Sequence, residues 1–176
     1  ILYDRGEVTG ALIIAPKGVY RNWEKGELPN HIPEHILHDI VLWNPSQTKK
    51  QIEIQRKLFF PDDNLKIFVM NVEALSTKKG ADIAERFLVA HDALMAVDES
   101  TTIKNKDAKR TKTIVSLGKH AKFRRILTGS PVTKSPMDLY SQCEFLDPWL
   151  LGHSSFFSFQ HEYAVIQRRT MGAHSF

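Results

Sequence analysis

The sequence has a single cysteine, Cys143, among its 176 residues. One cysteine excludes an internal disulfide bond and a cysteine-rich zinc site, and it fits a reducing compartment. No stretch approaches the roughly 18 uncharged apolar residues of a transmembrane helix, and the first ten residues lack the basic and apolar regions of a secretory signal. We therefore predict an intracellular domain without a membrane partner, in the cytoplasm or nucleoid if prokaryotic or viral and in the nucleus if eukaryotic.

A glycine-rich phosphate loop ending in Gly-Lys-Thr or Gly-Lys-Ser is also absent from the sequence, so the chain lacks that cradle for ATP phosphates. The composition, with 42% apolar and 25% charged residues, is typical of a globular domain large enough to bury a core. The net charge is only +4, but five of the nine residues 104–112 are Lys or Arg. This basic stretch indicates either a polyanionic partner or a solvated surface.

Five short apolar runs alternate with longer amphipathic stretches. The runs are apolar at consecutive positions, which is typical of strands covered on both faces in a parallel sheet. The stretches between them have helical spacing, and the stretch 46–60 begins with Ser46 as its predicted N-cap. The predicted strands are 11–16, 39–43, 65–71, 93–97 and 124–128, and the predicted helices include 19–28, 46–60, 79–90 and 107–121.

Strand–helix alternation of this kind predicts an α/β fold, with a doubly wound, mainly parallel sheet and flanking helices. We assign residues 1–135 to this domain. Residues 136–176 contain helical, aromatic segments without a further clear strand, and we predict that they form a helical extension of the same domain.

The residues that directly follow the apolar runs, called strand exits below, are candidates for catalysis or ligand binding. Ligands of open parallel sheets bind outside the carboxyl ends of the strands. Asp98 and Glu99 follow one such run directly. One carboxylate can hold a hydrated Mg²⁺, and the other can orient and deprotonate an attacking water. The alternative is that the two acids only open the following basic helix, whose dipole favours them.

Two other strand exits carry polar groups. The hydroxyls of Thr128-Gly129-Ser130 could hydrogen-bond a neighbouring carboxylate or a phosphate-bound water, or the segment could be a plain turn. Lys17, Gly18 and Arg21 follow the first run, where backbone amides and basic side chains could bind a nucleic-acid phosphate. They could equally be solvated residues at a helix start, with Trp23 in the core.

Four segments together resemble the first motor lobe of Swi/Snf-type superfamily-two helicases, which are DNA-dependent ATPases with two RecA-like lobes. The segments fall in the order and spacing of that family. The resemblance covers nearly the whole chain. They read LIIAPKGVYRNW, VMNVEAL, LMAVDESTTIKNKDAKRTK and RRILTGSPVTKSPMDLYSQCEFLDP, within residues 12–148.

The resemblance implies an ATP-dependent translocase that moves on DNA or remodels protein–DNA complexes, with ATP and Mg²⁺ as cofactors. Asp98 would bind Mg²⁺ through water, and Glu99 would activate the attacking water. The partners would be DNA, contacted along the backbone of a duplex, and the second RecA-like lobe of the same polypeptide. The resemblance implies a coupling motif of Thr128, Gly129, Ser130 and Thr101, and a DNA track of Lys17, Gly18, Arg21, Asn71, Lys104 and Asn105.

Two departures from the family pattern affect these expectations. Thr101 stands where the family usually has a histidine, so the link from the nucleotide to the Thr-Gly-Ser motif must be made in another way or is weakened. The phosphate loop of the family lies one helix upstream of the first apolar run, so it would precede Ile1, and the second lobe would follow Phe176. We therefore expect the isolated chain to be inactive.

Two other function classes are compatible with the sequence. The first is a nucleic-acid-binding α/β domain that never used ATP. The second is a metal-dependent nuclease using Asp98, Glu99 and Lys104, although Glu73 is the only other acidic strand exit. His31, His35 and His38 cluster in a polar connection around a proline and are predicted to be surface residues rather than metal ligands.

Overall fold

The computed structural model describes residues 1–46 and 48–165. Five strands form one sheet in the order β2-β3-β1-β4-β5, and all four pairings are parallel. Each predicted strand is confirmed, with bounds that differ by at most one residue. The strands are β1 (Gly10–Ala15), β2 (His38–Leu42), β3 (Leu65–Asn71), β4 (Ala93–Asp98) and β5 (Phe123–Leu127).

Helices connect the strands and cover both faces of the sheet. The longest has 13 residues and is amphipathic, so none of the helices in the described ranges could cross a lipid bilayer. Short 3₁₀ turns occupy Lys57–Phe59, Val72–Ser76, Ser100–Ile103 and Pro136–Leu139. The helices are α1 (Tyr20–Asn22), a π segment (Trp23–Glu27), α2 (Leu28–His31), α3 (Lys49–Arg56), α4 (Lys78–Ala90), α5 (Lys109–Gly118), α6 (Tyr140–Leu146) and α7 (Phe156–Tyr163).

The predicted N-cap of the third helix was wrong by two residues. The Thr48 hydroxyl accepts the backbone N–H of Gln51 at 3.4 Å and caps α3. Ser46 instead belongs to the preceding turn, where its backbone N–H donates to Asn44 Oδ1 at 2.9 Å. Asn side chains commonly hold such turns by accepting an N–H two residues further on.

The two faces of the sheet carry separate hydrophobic clusters of different size. The larger cluster contains Leu12, Phe68 and Met95, and it packs against α4, α5 and α6. The smaller cluster is covered by the helical stretch of α1, the π segment and α2. Successive side chains of a strand point to opposite faces, which is why consecutive apolar residues were needed in each strand.

The predicted helical extension begins with the Pro136–Leu139 turn and contains α6 and α7. The Tyr140 ring joins the two helices, because its centroid lies 5.2 Å from that of Phe156 and 5.8 Å from that of Phe159. The part of the prediction that concerns residues 166–176 lies outside the described residues. The division between residues 135 and 136 stays a prediction, since α6 packs against both α5 and β5.

The first seven residues have the hydrogen-bond pattern of a helix C-terminus. Gly6 has a φ of +68°, and its N–H donates to the Tyr3 carbonyl at 2.8 Å. The N–H of Glu7 donates to the Leu2 carbonyl at 2.9 Å. This pair of hydrogen bonds around a left-handed glycine is the Schellman motif.

A buried lysine lies at the end of the sheet where the strands begin, called the amino edge below. Lys66, at the start of β3, is 1% exposed, and its Nζ donates to Asp39 Oδ2 and to Asp62 Oδ1, both at 2.6 Å. Burial alone would lower the pKa of Lys66, but hydrogen bonds to the two carboxylates raise it above its ordinary value. The protonated Lys66 therefore stays paired with the two carboxylates. Its bond to Asp39 ties β3 to β2 at this amino edge, while the residues that follow the strands lie at the other end, the carboxyl edge.

Replacing Gly80 by alanine is expected to destabilise the protein. Gly80 lies in the first turn of α4, and a Cβ at this position would lie 2.2 Å from the carbonyl oxygen of Ala74. A Gly→Ala change inside a helix ordinarily stabilises by up to about 1 kcal/mol. Here the clash reverses the sign, and we expect the free energy of unfolding in urea to fall by about 1–3 kcal/mol.

Gly26→Ala is the matched control, because Gly26 lies in a helical stretch and a Cβ there would meet nothing within 4 Å. We expect this variant to keep or slightly increase the free energy of unfolding. An increase in Gly80→Ala as well would contradict the described contact between the start of α4 and Ala74.

Candidate functional site

The strand register brings four strand exits to one edge of the sheet. Ala15 at the end of β1 pairs with Asn71 at the end of β3, and Asp98 at the end of β4 pairs with Leu127 at the end of β5. β1 and β4 are themselves neighbours. The Asp98-Glu99 pair therefore lies beside the turn that begins at Thr128, which is the arrangement predicted from the sequence.

Asp98 is half-buried, and two hydrogen bonds orient its carboxylate. Oδ2 accepts the indole N–H of Trp23 at 2.9 Å, and Oδ1 accepts the backbone N–H of Glu99 at 2.9 Å. A carboxylate has about four acceptor sites, so each oxygen keeps one free for another donor. The group can therefore accept from a bound water while its orientation stays fixed.

The contact of Trp23 with Asp98 could not be read from the sequence, where Trp23 was expected in the core. Its ring is half-buried and does pack against the smaller hydrophobic cluster. Trp23 also begins the π segment, where a plain helix was predicted. Single π turns inside helices occur often at functional sites, and this one lies where the helix meets the end of β4.

Glu99 has an unusual backbone conformation. Its φ of +48° and ψ of +58° lie in the left-handed region, and among the described residues it is the one non-glycine with a positive φ. Such a conformation costs an L-residue about 1–3 kcal/mol and tends to persist at functional sites. The side chain is exposed, and its carboxylate makes no hydrogen bond within residues 1–46 and 48–165.

The turn after Glu99 places the remaining residues of this motif. Thr101 is half-buried, and its hydroxyl makes no hydrogen bond to any described residue. Lys104 reaches the neighbouring segment, where its Nζ donates to Thr133 Oγ1 at 2.6 Å. Asn105 is exposed and accepts the N–H of Asp107 at 3.0 Å. The predicted coupling role of Thr101 therefore has no hydrogen bond to support it here.

The predicted Thr-Gly-Ser turn uses its hydroxyls internally. Thr128 Oγ1 accepts the N–H of Ser130 at 3.2 Å, and Ser130 Oγ donates to the carbonyl of Val132 at 3.0 Å. Gly129 is exposed, with open space at its Cβ position. The turn is adjacent to Asp98 without being hydrogen-bonded to it, so the predicted coupling role of these three residues stays a prediction.

The residues predicted to contact DNA lie at or next to the same edge. Lys17, Gly18 and Arg21 are exposed directly after β1. Asn71 ends β3 and is half-buried, and its side-chain amide donates to Glu73 Oε2 at 3.3 Å. With Lys104, the side chains of Lys17, Arg21 and Asn71 make the end of the sheet that carries Asp98 and Glu99 polar and mainly basic. Their contact with a nucleic acid stays a prediction.

The histidines of the polar connection are exposed, as predicted for surface residues. His35 Nε2 lies 2.9 Å from Asp4 Oδ1, and His31 Nε2 lies 3.6 Å from Glu27 Oε2. The residues that the structure describes contain no group of three or more His, Cys, Asp or Glu side chains arranged to hold a metal. Asp98, Glu99 and Glu73 at this end of the sheet therefore do not form such a group, and the nuclease hypothesis gains no support from it.

Asp138 organises the segment after the Thr-Gly-Ser turn and was not singled out from the sequence. Its Oδ2 accepts the hydroxyl of Thr133 at 2.7 Å and the backbone N–H groups of Thr133 and Lys134, both at 2.9 Å. The Thr133 hydroxyl, followed by the two N–H groups, lowers the pKa of Asp138 to about 2. Lys104 therefore connects through Thr133 to a carboxylate that stays ionised.

Residues 2–174 match the family described as the SNF2-related domain. The chain is 27% identical over 150 residues to the chromatin-remodeling ATPase INO80 of Cryptococcus neoformans, covering 82% of this chain and 8% of that protein. It is 28% identical over 146 residues to the probable ATP-dependent DNA helicase CHR23 of Arabidopsis thaliana, covering 78% of this chain and 12% of that protein.

Two solved structures from Sulfolobus solfataricus share the fold. The SWI2/SNF2 ATPase core domain aligns with a TM-score of 0.60 and 26% identity, over 91% of this chain and 28% of that one. The same core in complex with dsDNA aligns with a TM-score of 0.65 and 24% identity, over 93% of this chain and 30% of that one. The chain thus spans about a tenth of the two curated relatives and under a third of the solved chains.

The hydrogen bonds to Asp138 predict a defined pH dependence. Because its pKa in the fold, about 2, lies below the ordinary value of 3.8, its contribution to stability is complete above the ordinary pKa. That contribution is lost as the pH falls from 3.8 towards 2. We expect a carboxyl NMR titration of Asp138 with a midpoint of about 2, and a lower melting temperature for Asp138→Asn at pH 6.

The difference in melting temperature between the wild type and Asp138→Asn should shrink as the pH is lowered towards 2. Asp63→Asn is the control, because the Asp63 side chain is exposed and has no hydrogen bond among the described residues. A midpoint for Asp138 near 3.8 would contradict the three hydrogen bonds.

Proposed function

The chain belongs to the SNF2-related domain family, and from this we propose that it forms the first RecA-like lobe of an ATP-driven motor that moves on DNA. The family predicted from the four sequence segments is thereby confirmed, and so is the α/β fold. The observation that supports the motor function best is the position of Asp98 and Glu99, at the carboxyl edge of a parallel sheet beside the Thr128 turn.

Glu99 is the proposed base that orients and deprotonates the attacking water. The left-handed backbone ends β4 abruptly and leaves the side chain exposed at the edge of the sheet. Its carboxylate has no hydrogen bond to another described residue, so both oxygens are free to accept from water. A positioned carboxylate can accelerate proton transfer by about 10²–10⁴-fold.

Asp98 is the proposed Mg²⁺-binding carboxylate, with a water between them. Its chemistry fits, because Mg²⁺ prefers oxygen ligands and usually takes only one or two carboxylates, with waters and substrate phosphates in the remaining positions. The bound ion would supply charge neutralisation at the phosphate oxygens. The bonds from Trp23 and from the Glu99 N–H hold the Asp98 carboxylate in place and leave acceptor capacity on both oxygens.

ATP turnover in this proposal needs groups that the 176 residues do not contain. The sequence has no Gly-Lys-Thr or Gly-Lys-Ser loop for the ATP phosphates, and the family resemblance implies a second RecA-like lobe as well. We therefore propose that the chain acts as part of an intact motor and that the isolated chain does not turn over ATP.

Duplex DNA is the proposed track, contacted through its phosphates. The relatives include a probable DNA helicase, and one solved relative is a complex with dsDNA. Lys17, Gly18 and Arg21 are exposed after β1, and Lys104 and Asn105 follow the 3₁₀ turn after β4, so both groups follow strands that end at the same side of the sheet. Basic side chains and backbone amides contact phosphates without reading sequence, which suits a motor that moves along any DNA inside the cell.

Glu99→Gln in the full-length protein is expected to abolish ATP turnover while ATP binding stays within about twofold. The change keeps the shape of the side chain and removes only the base, so the loss should be about 10²–10⁴-fold in kcat. The measurement is the DNA-stimulated ATPase rate together with the Kd for ATP.

Glu73→Gln is the matched control, because Glu73 is an exposed acid at the same edge that follows β3 instead of β4. Its kcat should stay within about twofold of the wild type. Full turnover in Glu99→Gln would exclude the proposed base. Absent turnover in the wild-type full-length protein would instead favour the nucleic-acid-binding domain that never used ATP.

Lys17→Ala is expected to weaken DNA binding about fivefold at physiological salt, equally for unrelated sequences, because one exposed ionic contact is worth roughly 1 kcal/mol. The slope of log K against log salt concentration should become less steep by about 0.9, the value for one lost phosphate contact on duplex DNA. Fluorescence anisotropy with two unrelated duplexes at several salt concentrations measures both quantities.

Lys122→Ala is the charge-matched control. Lys122 precedes β5 and therefore lies at the opposite edge of the sheet, where it pairs with Asp92 at 3.1 Å. Its DNA affinity and salt slope should equal those of the wild type. An effect of Lys17→Ala on only one of the two duplexes would show that Lys17 does not contact the phosphates.

A further inference from the structure

We propose that Gln142 is a positioning residue that couples the carboxylate turn at Glu99 to the Thr-Gly-Ser turn. This inference rests on the proposed motor function, since the coupling it describes is that between DNA binding and ATP turnover. Gln142 lies on α6, outside the strand exits from which the site was predicted.

Gln142 is fully buried, and its amide connects two segments that are distant in sequence. Its Oε1 accepts the hydroxyl of Ser100 at 2.5 Å. Its Nε2 donates to the carbonyls of Pro131 and Asp138, both at 2.7 Å. Ser100 directly follows Glu99, and Pro131 directly follows Ser130, so one side chain joins the residue next to the proposed base to the residue next to the proposed coupling turn.

The polar character of this buried position needs an explanation. A buried amide is costly unless its hydrogen-bonding groups are paired, and an apolar side chain of similar volume would fill the space without that risk. Here both N–H groups and the oxygen of Gln142 have partners. A fully paired buried network fixes the relative position of the groups that it joins, and here those groups are the two turns.

Besides the backbone pairing of β4 with β5, few other hydrogen bonds of the described residues connect the two turns. The Thr101 hydroxyl, at the position where the family usually has a histidine, makes no hydrogen bond to a described residue, and the hydroxyls of Thr128 and Ser130 bond within their own turn. One exposed connection runs from Lys104 through Thr133 to the Asp138 carboxylate. Both connections therefore meet at Asp138, whose carbonyl accepts from Gln142.

Gln142 thus links the Glu99 turn mechanically to the Thr-Gly-Ser turn, in a chain that has Thr101 where the family usually has a histidine. Ser100 is fully buried, so a movement of the Glu99 turn must move Gln142 or break its hydrogen bond. Gln142 in turn holds the segment after Ser130. We expect the link to affect how strongly DNA stimulates ATP turnover, and to leave ATP and DNA binding themselves largely unchanged.

The first experiment compares Ser100→Ala, Gln142→Met and the double variant in the full-length protein. Each single change should lower the DNA-stimulated kcat about tenfold, as expected for loss of one well-placed hydrogen bond. The kcat without DNA and the Kd for DNA should stay within about twofold. The double variant should lose no more than Gln142→Met alone, because both changes break the same link.

Ser141→Ala is the matched control, because Ser141 is a buried serine on the same helix and its hydroxyl has no partner among the described residues. It should leave the DNA stimulation unchanged. A merely structural role of Gln142 would lower the melting temperature and all rates together, with an unchanged ratio of stimulated to basal turnover, and that result would overturn the proposal. Losses that multiply in the double variant would also overturn it.

The second experiment does not depend on ATP turnover, so it separates failure of the link from failure of the proposed function. The backbone N–H groups of Ser130, Thr133 and Lys134 are hydrogen-bonded within the segment held by Gln142. In Ser100→Ala these amides should exchange with solvent at least several times faster, and in Ser141→Ala they should not. Unchanged exchange in Ser100→Ala would overturn the link even if the motor function holds.

Discussion

Parallel pairing of β4 with β1 on one side and with β5 on the other is the constraint on which the candidate site depends. In a parallel sheet every strand ends at the same edge, so the chain must place its strand exits side by side. The acids at the end of β4, the hydroxyls after β5 and the lysine after β1 are brought to the same side of the sheet by this register. Antiparallel pairing of any one strand would send its exit to the edge that Lys66 occupies.

The two edges of the sheet are built differently. At the amino edge, Lys66 is buried between Asp39 and Asp62, so its charge is compensated and inaccessible. At the carboxyl edge, Asp98 is held by a neutral indole donor, and the carboxylate of Glu99 has no hydrogen-bond partner among the described residues. The charged groups of Lys66, Asp39 and Asp62 are thus paired with one another, whereas the Glu99 carboxylate is free for chemistry. Strain is concentrated at the free edge too, in the backbone of Glu99.

Much of this arrangement is predictable from the sequence, for physical reasons. Strands buried on both faces must be apolar at consecutive positions, so their bounds could be read to within one residue, and the exits followed from them. The interactions that refine the site could not be read in this way. Trp23 meets Asp98 across 75 positions, and Ser100 meets Gln142 across 42. No local pattern distinguishes these tryptophan and glutamine residues from ordinary helix residues, because their partners are set by packing. The N-cap was predicted at Ser46 for a different reason, which is local. Ser46 is held in the preceding turn by Asn44, so Thr48 caps α3 instead.

The left-handed backbone at Glu99 also has a consequence for engineering. Glycine or asparagine adopts that conformation more easily than glutamate, so Glu99→Gly would relieve local strain. A library sorted only for heat resistance would therefore enrich the substitution that deletes the carboxylate. Consensus or computational stabilisation of this lobe should keep position 99 fixed, since stability favours glycine there and the proposed chemistry requires glutamate.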